Sequence, residues 1–172
     1  MAFLGRSNVG KSSLLNALVG SASLARVSAE PGRTRLVNFF RVGDEMYLAD
    51  LPGYGYAKVP EAMRRGWERL VSAYLVGRAP LALCLFLVDV RHPPSEGDLT
   101  LKRFLDEQGL RYAVAATKAD KLGRGELARR RRDLAAELGG GALGVTAVSA
   151  TTRDGIEELW RTIRAATKER GA

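Results

Sequence analysis

Gly5-Arg6-Ser7-Asn8-Val9-Gly10-Lys11-Ser12 fits the pattern G-x-x-x-x-G-K-[ST], a loop that wraps backbone N–H groups around the β-phosphate of a nucleotide. In such a loop the lysine neutralises β- and γ-phosphate oxygens, and the closing hydroxyl ligates Mg²⁺. The flanking residues supply the context that the pattern needs. Ala2-Phe3-Leu4 reads as a short buried strand, and Ser13-Leu14-Leu15-Asn16-Ala17-Leu18 reads as a helix that packs Leu14, Leu15 and Leu18. Gly5 and Gly10 let the backbone approach a phosphate closely, and the helix N-terminus adds the positive end of its dipole. Strand, glycine loop and helix together imply a nucleoside triphosphate site in an α/β protein. The base is left open.

Outward from this loop, strand and helix signals alternate to the end of the chain. Residues 36–42 and 46–50 flank Gly43-Asp44 as a hairpin. Residues 60–76 place Met63, Trp67, Leu70, Val71, Tyr74 and Leu75 at helical spacing. A buried strand over 82–88 ends at Asp89, and Asp98 is expected to cap a helix carrying Leu101, Phe104 and Leu105. A strand over 112–116, a helix over 126–138, a strand over 145–148 and a helix over 155–167 follow. This order predicts an α/β fold with a mostly parallel, six-stranded sheet, one antiparallel edge strand, and helices on both faces. At 172 residues, 46% hydrophobic and 27% charged, the chain is expected to form one domain over 1–172 with its own core.

Cys84 is the only cysteine, so an intrachain disulfide framework is excluded. It lies in the run Leu81-Ala82-Leu83-Cys84-Leu85-Phe86-Leu87-Val88, where a buried, inert thiol is expected. That run is too short to span a bilayer, and the N-terminus lacks a signal peptide's layout, so a cytoplasmic protein with no membrane partner is expected. The net charge of +8 and pI of about 10.1 have two readings. One is a solvated arginine-rich surface, the other a polyanionic partner such as RNA. Arg129-Arg130-Arg131-Arg132 covers more than one helical turn, so most of it is expected to face solvent. Arg153, Arg161, Arg164, Lys168 and Arg170 form a second basic set near the C-terminus.

Further along, Asp50-Leu51-Pro52-Gly53 gives D-x-x-G at a strand end. In such a loop the aspartate holds Mg²⁺, usually through water, and the glycine N–H senses the γ-phosphate. Thr34, in the polar loop after the first helix, is positioned to be a second hydroxyl ligand to Mg²⁺. Taken alone, each residue could as well serve a turn. Thr117-Lys118-Ala119-Asp120 follows a strand and fits [NT]-K-x-D. The Asp120 carboxylate can accept from guanine N1–H and N2–H₂, where adenine offers no equivalent donors and would leave it unpaired. The Lys118 stem can lie over the base, and Ser149-Ala150 can supply an N–H to guanine O6. Phosphate loop, Thr34, D-x-x-G, TKAD and Ser149-Ala150 occur in order, each at the C-terminal end of a strand or in the loop after it. That edge is where open α/β sheets bind ligands. The ordering implies a guanine nucleotide site.

GRSNVGKSSLLNAL at 5–18, PGRTRLVNFF at 31–40, DLPGYGYAKV at 50–59, DVRHPP at 89–94 and TKADKL at 117–122 together resemble the EngB/YihA/YsxC GTP-binding proteins. These belong to the TrmE-Era-EngA-EngB-Septin-like group of GTPases. The resemblance covers nearly the whole chain. It implies a Ras-like P-loop GTPase fold, Mg²⁺-dependent binding of GTP and GDP, a role in assembling the large ribosomal subunit, and a requirement for normal cell division and septation. The precursor subunit and its rRNA are then the expected partners, with no DNA, and a monomer is expected. Residue by residue, the resemblance implies a nucleotide site of Gly5, Arg6, Ser7, Asn8, Val9, Gly10, Lys11, Ser12, Gly32, Arg33, Thr34, Arg35, Leu36, Asp50, Leu51, Pro52, Gly53, Thr117, Lys118, Ala119, Asp120, Val148, Ser149 and Ala150. Ser12, Thr34 and Asp50 would serve the metal, and Lys11, Thr34 and Gly53 the reacting phosphate. Thr117 stands where many GTPases carry Asn. Members of the family usually carry an N-terminal extension ahead of the first strand, which this chain is expected to lack.

His92, the only histidine, follows a strand end beside Arg91 and two prolines, which favours a loop or partner contact over catalysis. Tyr54 and Tyr56 could stack on a base, but packing of the loop is the stronger reading. Tyr54 also stands where many GTPases place a Gln that orients the attacking water, so slow intrinsic hydrolysis, stimulated by a partner, is expected. Asn8 either shapes the phosphate loop or holds K⁺ against the phosphates, as in related GTPases. The rival function is a P-loop kinase of a small metabolite. TKAD argues against it.

Overall fold

Strand residues alternate between two apolar layers, and that alternation sets the architecture. The computed structural model describes residues 1–20, 37–43, 46–54 and 61–168. In chain order these form β1 (Ala2–Gly5), α1 (Lys11–Val19), β2 (Asn38–Val42), β3 (Met46–Asp50), α2 (Glu61–Leu75), β4 (Cys84–Asp89), α3 (Glu96–Glu107), β5 (Tyr112–Thr117), α4 (Arg124–Leu138), β6 (Val145–Ala147) and α5 (Ile156–Lys168). The strands form one six-stranded sheet in the order β2-β3-β1-β4-β5-β6. All neighbours are parallel except β2 and β3, where Asn38 pairs with Asp50 and Val42 with Met46. The predicted mostly parallel sheet with one antiparallel edge strand is therefore observed.

Phe3, Leu48, Leu85, Leu87, Ala113 and Ala115 point to one side, where Leu14, Leu15 and Leu18 of α1 and Leu159 and Ile163 of α5 cover them. Ala2, Leu4, Ala49, Phe86, Val114 and Ala116 point to the other, against Val71 and Leu75 of α2, Leu101 and Leu105 of α3, and Leu134 and Leu138 of α4. Every residue of β4 and β5 is buried, as expected of strands covered on both faces. Cys84 lies buried in this core as expected, and burial pushes its thiol up to about 12.

Some details differ from the sequence reading: the strands expected from 36 and 82 start at Asn38 and Cys84. The N-cap of α3 is Ser95, whose hydroxyl accepts from the Asp98 amide, while Asp98 reaches back to the Ser95 amide as the third residue of a capping box. The helix expected over 126–138 starts at Arg124, one residue after Gly123. Among the described residues no helix is long and apolar enough to cross a membrane.

The topology brings the C-terminal ends of β1, β3, β4, β5 and β6 to one edge of the sheet. The connection after β1 goes to one face and that after β4 to the other, which opens a crevice at that edge.

Candidate functional site

The phosphate loop leaves β1 at Gly5 and enters α1 at Lys11. Asn8 at φ 62° and Gly10 at φ 99° are both left-handed, a geometry that turns successive amides toward one concavity. Asparagine is among the few side chains that tolerate this region. The helix begins with the Leu14 amide donating to the Gly10 carbonyl at 2.8 Å. No side chain caps it, so the amides of Lys11, Ser12 and Ser13 have no intrahelical acceptor. Such an end suits an anion. The Lys11 ammonium pairs with the Asp50 carboxylate, and both side chains are largely buried. Burial at this depth requires a partner for each charge.

The residues after Asp50 run alongside the phosphate loop. Ser7 N–H donates to the Tyr54 carbonyl at 2.9 Å and Tyr54 N–H to the Gly5 carbonyl at 3.4 Å. A Cβ at Gly53 would stand 2.9 Å from the Ser7 nitrogen, so only glycine allows this approach. The Ser7 hydroxyl is buried beside it and has no hydrogen-bond partner among the described residues. Trp67 Nε1–H donates to the Pro52 carbonyl at 2.6 Å and meets the Tyr54 ring edge-on at 5.2 Å. The Tyr54 hydroxyl donates to Asp98 at 2.6 Å. Burial, then the Asp98 charge, hold that phenol well above its ordinary pKa. Tyr54 is thus a packing residue.

The third wall comes from β4, β5 and β6. The buried Thr117 hydroxyl donates to the Val9 carbonyl at 2.6 Å and lies 3.0 Å from the Val88 carbonyl. Lys118, left-handed at φ 63°, donates to the Asn8 carbonyl at 2.8 Å and pairs with Asp89 at 3.0 Å. Asp89 also takes Arg91 in a two-pronged contact at 2.9 and 2.7 Å. Burial pushes the Asp89 carboxyl up, but the hydrogen bonds from Arg91 and Lys118 outweigh it and hold the group well below the usual range. Asp120 accepts from the Ser149 hydroxyl at 2.7 Å and pairs with Lys121 at 3.2 Å. The Ser149 contact is the largest reason its carboxyl sits below the ordinary value. The Ser149 amide donates to the Asp154 carbonyl at 3.0 Å, which leaves the Ala150 amide as the donor of that pair.

Comparison with known proteins agrees with this arrangement. The family model described as "50S ribosome-binding GTPase" matches residues 1–118. The chain is 51% identical over 138 residues to the "Probable GTP-binding protein EngB" of Syntrophus aciditrophicus, covering 80% of this chain and 70% of that protein. It is 44% identical over 165 residues to the protein of the same name from Geobacter sulfurreducens, covering 96% and 80%. The chain belongs to the EngB family of GTP-binding proteins. A crystal structure described as a probable GTP-binding protein engB superimposes with a TM-score of 0.76 over 98% of both chains, at 24% identity. It shows the same Ras-like fold. As an EngB GTPase the chain binds GTP and GDP, which decides against the metabolite-kinase alternative.

Within this EngB fold, Gly5–Ser12, Asp50–Gly53, Thr117–Asp120 and Val148–Ala150 all meet at one sheet edge. Gly32, Arg33, Thr34, Arg35, Leu36 and Tyr56 lie outside the described residues. His92 is exposed in the turn after β4, its amide donating to the Asp89 carbonyl at 3.2 Å. In the 129–132 run, Arg130 donates to the Val90 carbonyl at 3.2 Å, while Arg129, Arg131 and Arg132 are exposed as expected. Asp89 opens the DVRHPP stretch, but the sequence reading gave it no role in the site. Its signal was its place at a strand end on the ligand edge, with a cation two residues on. Asp89→Asn should release Lys118 from one of its two anchors and weaken GDP binding about tenfold. Isothermal titration checks this, and an unchanged affinity would show that Asp89 serves Arg91 alone.

Proposed function

We propose that this EngB-family protein is a Mg²⁺-dependent GTP switch, slow in intrinsic hydrolysis, that acts on precursors of the large ribosomal subunit in the cytoplasm. By this reading it is needed for normal cell division and septation. The observation that carries the reading is the direct tie between the phosphate loop and the base-recognition loop, Lys118 Nζ to the Asn8 carbonyl at 2.8 Å. It holds the TKAD loop against the phosphate loop, as a single nucleotide bridging the two would require. The net charge of +8 supports an RNA-bearing partner.

In this mechanism the free amides of the phosphate loop and of the first turn of α1 hold the β-phosphate. Lys11 turns from Asp50 to the β/γ oxygens. Asp50 and the Ser12 hydroxyl, both hard oxygen donors, suit Mg²⁺, as does Thr34 by family resemblance. The ion, when bound, neutralises charge on the phosphates. Gly53, pressed against Ser7, would turn its amide toward the γ-phosphate by family resemblance, and the Ser7 hydroxyl, without a partner among the described residues, would be a further donor there. Asp120, steadied by Ser149, accepts from the guanine edge, and the Ala150 amide donates to O6. Tyr54 is locked to Asp98 and orients no water, so hydrolysis awaits a partner. The protein works as a monomer in this account, with one G domain over 1–172.

Asp120→Asn tests base choice. It sets a donor against guanine's donors, so GTP affinity should fall about tenfold or more while xanthosine triphosphate gains. Unchanged GTP affinity would place the base elsewhere. The role of Asn8 is tested by hydrolysis in K⁺ against Na⁺ at equal ionic strength, with and without large subunits. The left-handed backbone at Asn8 accounts for that residue without an ion, so equal rates are expected. Faster turnover in K⁺ would assign the ion to Asn8.

A further inference from the structure

β2 and β3 end the sheet on a strip that α2 only partly covers. Arg41 pairs in register with Tyr47, and Phe39 with Ala49, so Phe39, Arg41 and Tyr47 share one face. Phe39 is 52% exposed and Tyr47 58%. Tyr74 of α2 meets the Phe39 ring at 5.9 Å. Arg78, three residues past α2, lays its guanidinium over both rings, 4.2 Å from Tyr74 and 5.9 Å from Phe39. Among the described residues Arg78 makes no ion pair. Beside it a shallow cavity of about 430 Å³, with Arg111 on its far wall, opens below β4 and β5. The segments 37–43, 46–49 and 72–83 contain no acidic residue, and Asp44 and Glu45 stand in the sequence between the first two.

Wet aromatic rings interleaved with arginines match one chemistry. Unpaired bases stack on such rings, and guanidinium groups take the phosphates between them. A duplex keeps its base faces covered and offers the rings nothing to stack on. We propose that this face binds a single-stranded stretch of RNA, with Phe39 and Tyr47 as stacking platforms and Arg78 on the backbone. The identity of that RNA as ribosomal rests on the reading above; the surface itself does not.

Fluorescence anisotropy with labelled oligouridylate tests the surface, and co-sedimentation with large-subunit precursors tests the reading. Phe39→Ala and Tyr47→Ala should each weaken oligouridylate about tenfold. Arg78→Ala should also flatten the log–log salt dependence by about 0.7, whereas Arg78→Lys should keep the salt slope and lose affinity. GDP affinity, unchanged in each variant, certifies the fold. Folded variants that bind oligouridylate as the parent does overturn the proposal. If they also fail to sediment with precursors, the face docks a protein instead. If the parent itself does not sediment with precursors, the ribosomal reading fails, and loss of oligouridylate binding in the variants still upholds the surface.

Discussion

The hydroxyl of Thr117 is the contact on which the site depends. It is buried, and at 2.6 Å from the Val9 carbonyl it fastens the base-recognition loop to the phosphate loop across β4. Each loop hangs from its own strand, and strand pairing alone fixes only where each begins. The lateral ties set the separation beyond that point: Thr117 to Val9, Lys118 to Asn8, Ala119 to Val148 at 3.1 Å, and Ser7 to Tyr54. On the proposed reading a nucleotide spans those loops, so a separation set by the protein is ordering that binding need not supply.

The charges of the site obey the same economy. Lys11 rests on Asp50, Lys118 and Arg91 on Asp89, and Asp120 on Ser149 and Lys121. Each half-buried charge has an opposite charge or a hydroxyl against it, so none stands bare in a poorly solvated crevice. A ligand carrying phosphates and a divalent cation offers the same signs in the same places. On the proposed reading, binding exchanges partners for Lys11 and Asp50 and leaves the Asp89 contacts with Arg91 and Lys118 intact.

Much of this was legible in the sequence because the relevant signals are local. Five motifs and the strand–helix order gave the sheet, its antiparallel edge and the edge where ligands gather, and the family resemblance rests on the same stretches. What escaped depends on the packing of distant elements. Asp89 is an ordinary strand-end aspartate until β4 and β5 lie side by side with Asp89 opposite Thr117. Thr117 read as a departure from the commoner asparagine, yet its hydroxyl is the clasp. Ser149 looked like a source of an amide; its amide goes to Asp154 and its hydroxyl to Asp120. Asp98 reads in the sequence as a helix cap. It shares that work with Ser95 and also holds Tyr54, a contact spanning 44 residues. Periodicity cannot report such contacts.

The central claim is that the lateral clasp, and not the motifs alone, sets nucleotide affinity. Thr117→Val tests it most directly, since it removes one hydroxyl at nearly constant volume and leaves Asp120, Lys11 and the phosphate-loop glycines in place. With the fold verified by circular dichroism, GDP affinity measured by isothermal titration should fall about tenfold or more, the worth of a buried hydrogen bond and its orphaned carbonyl. A folded variant that binds GDP as tightly as the parent would contradict the account.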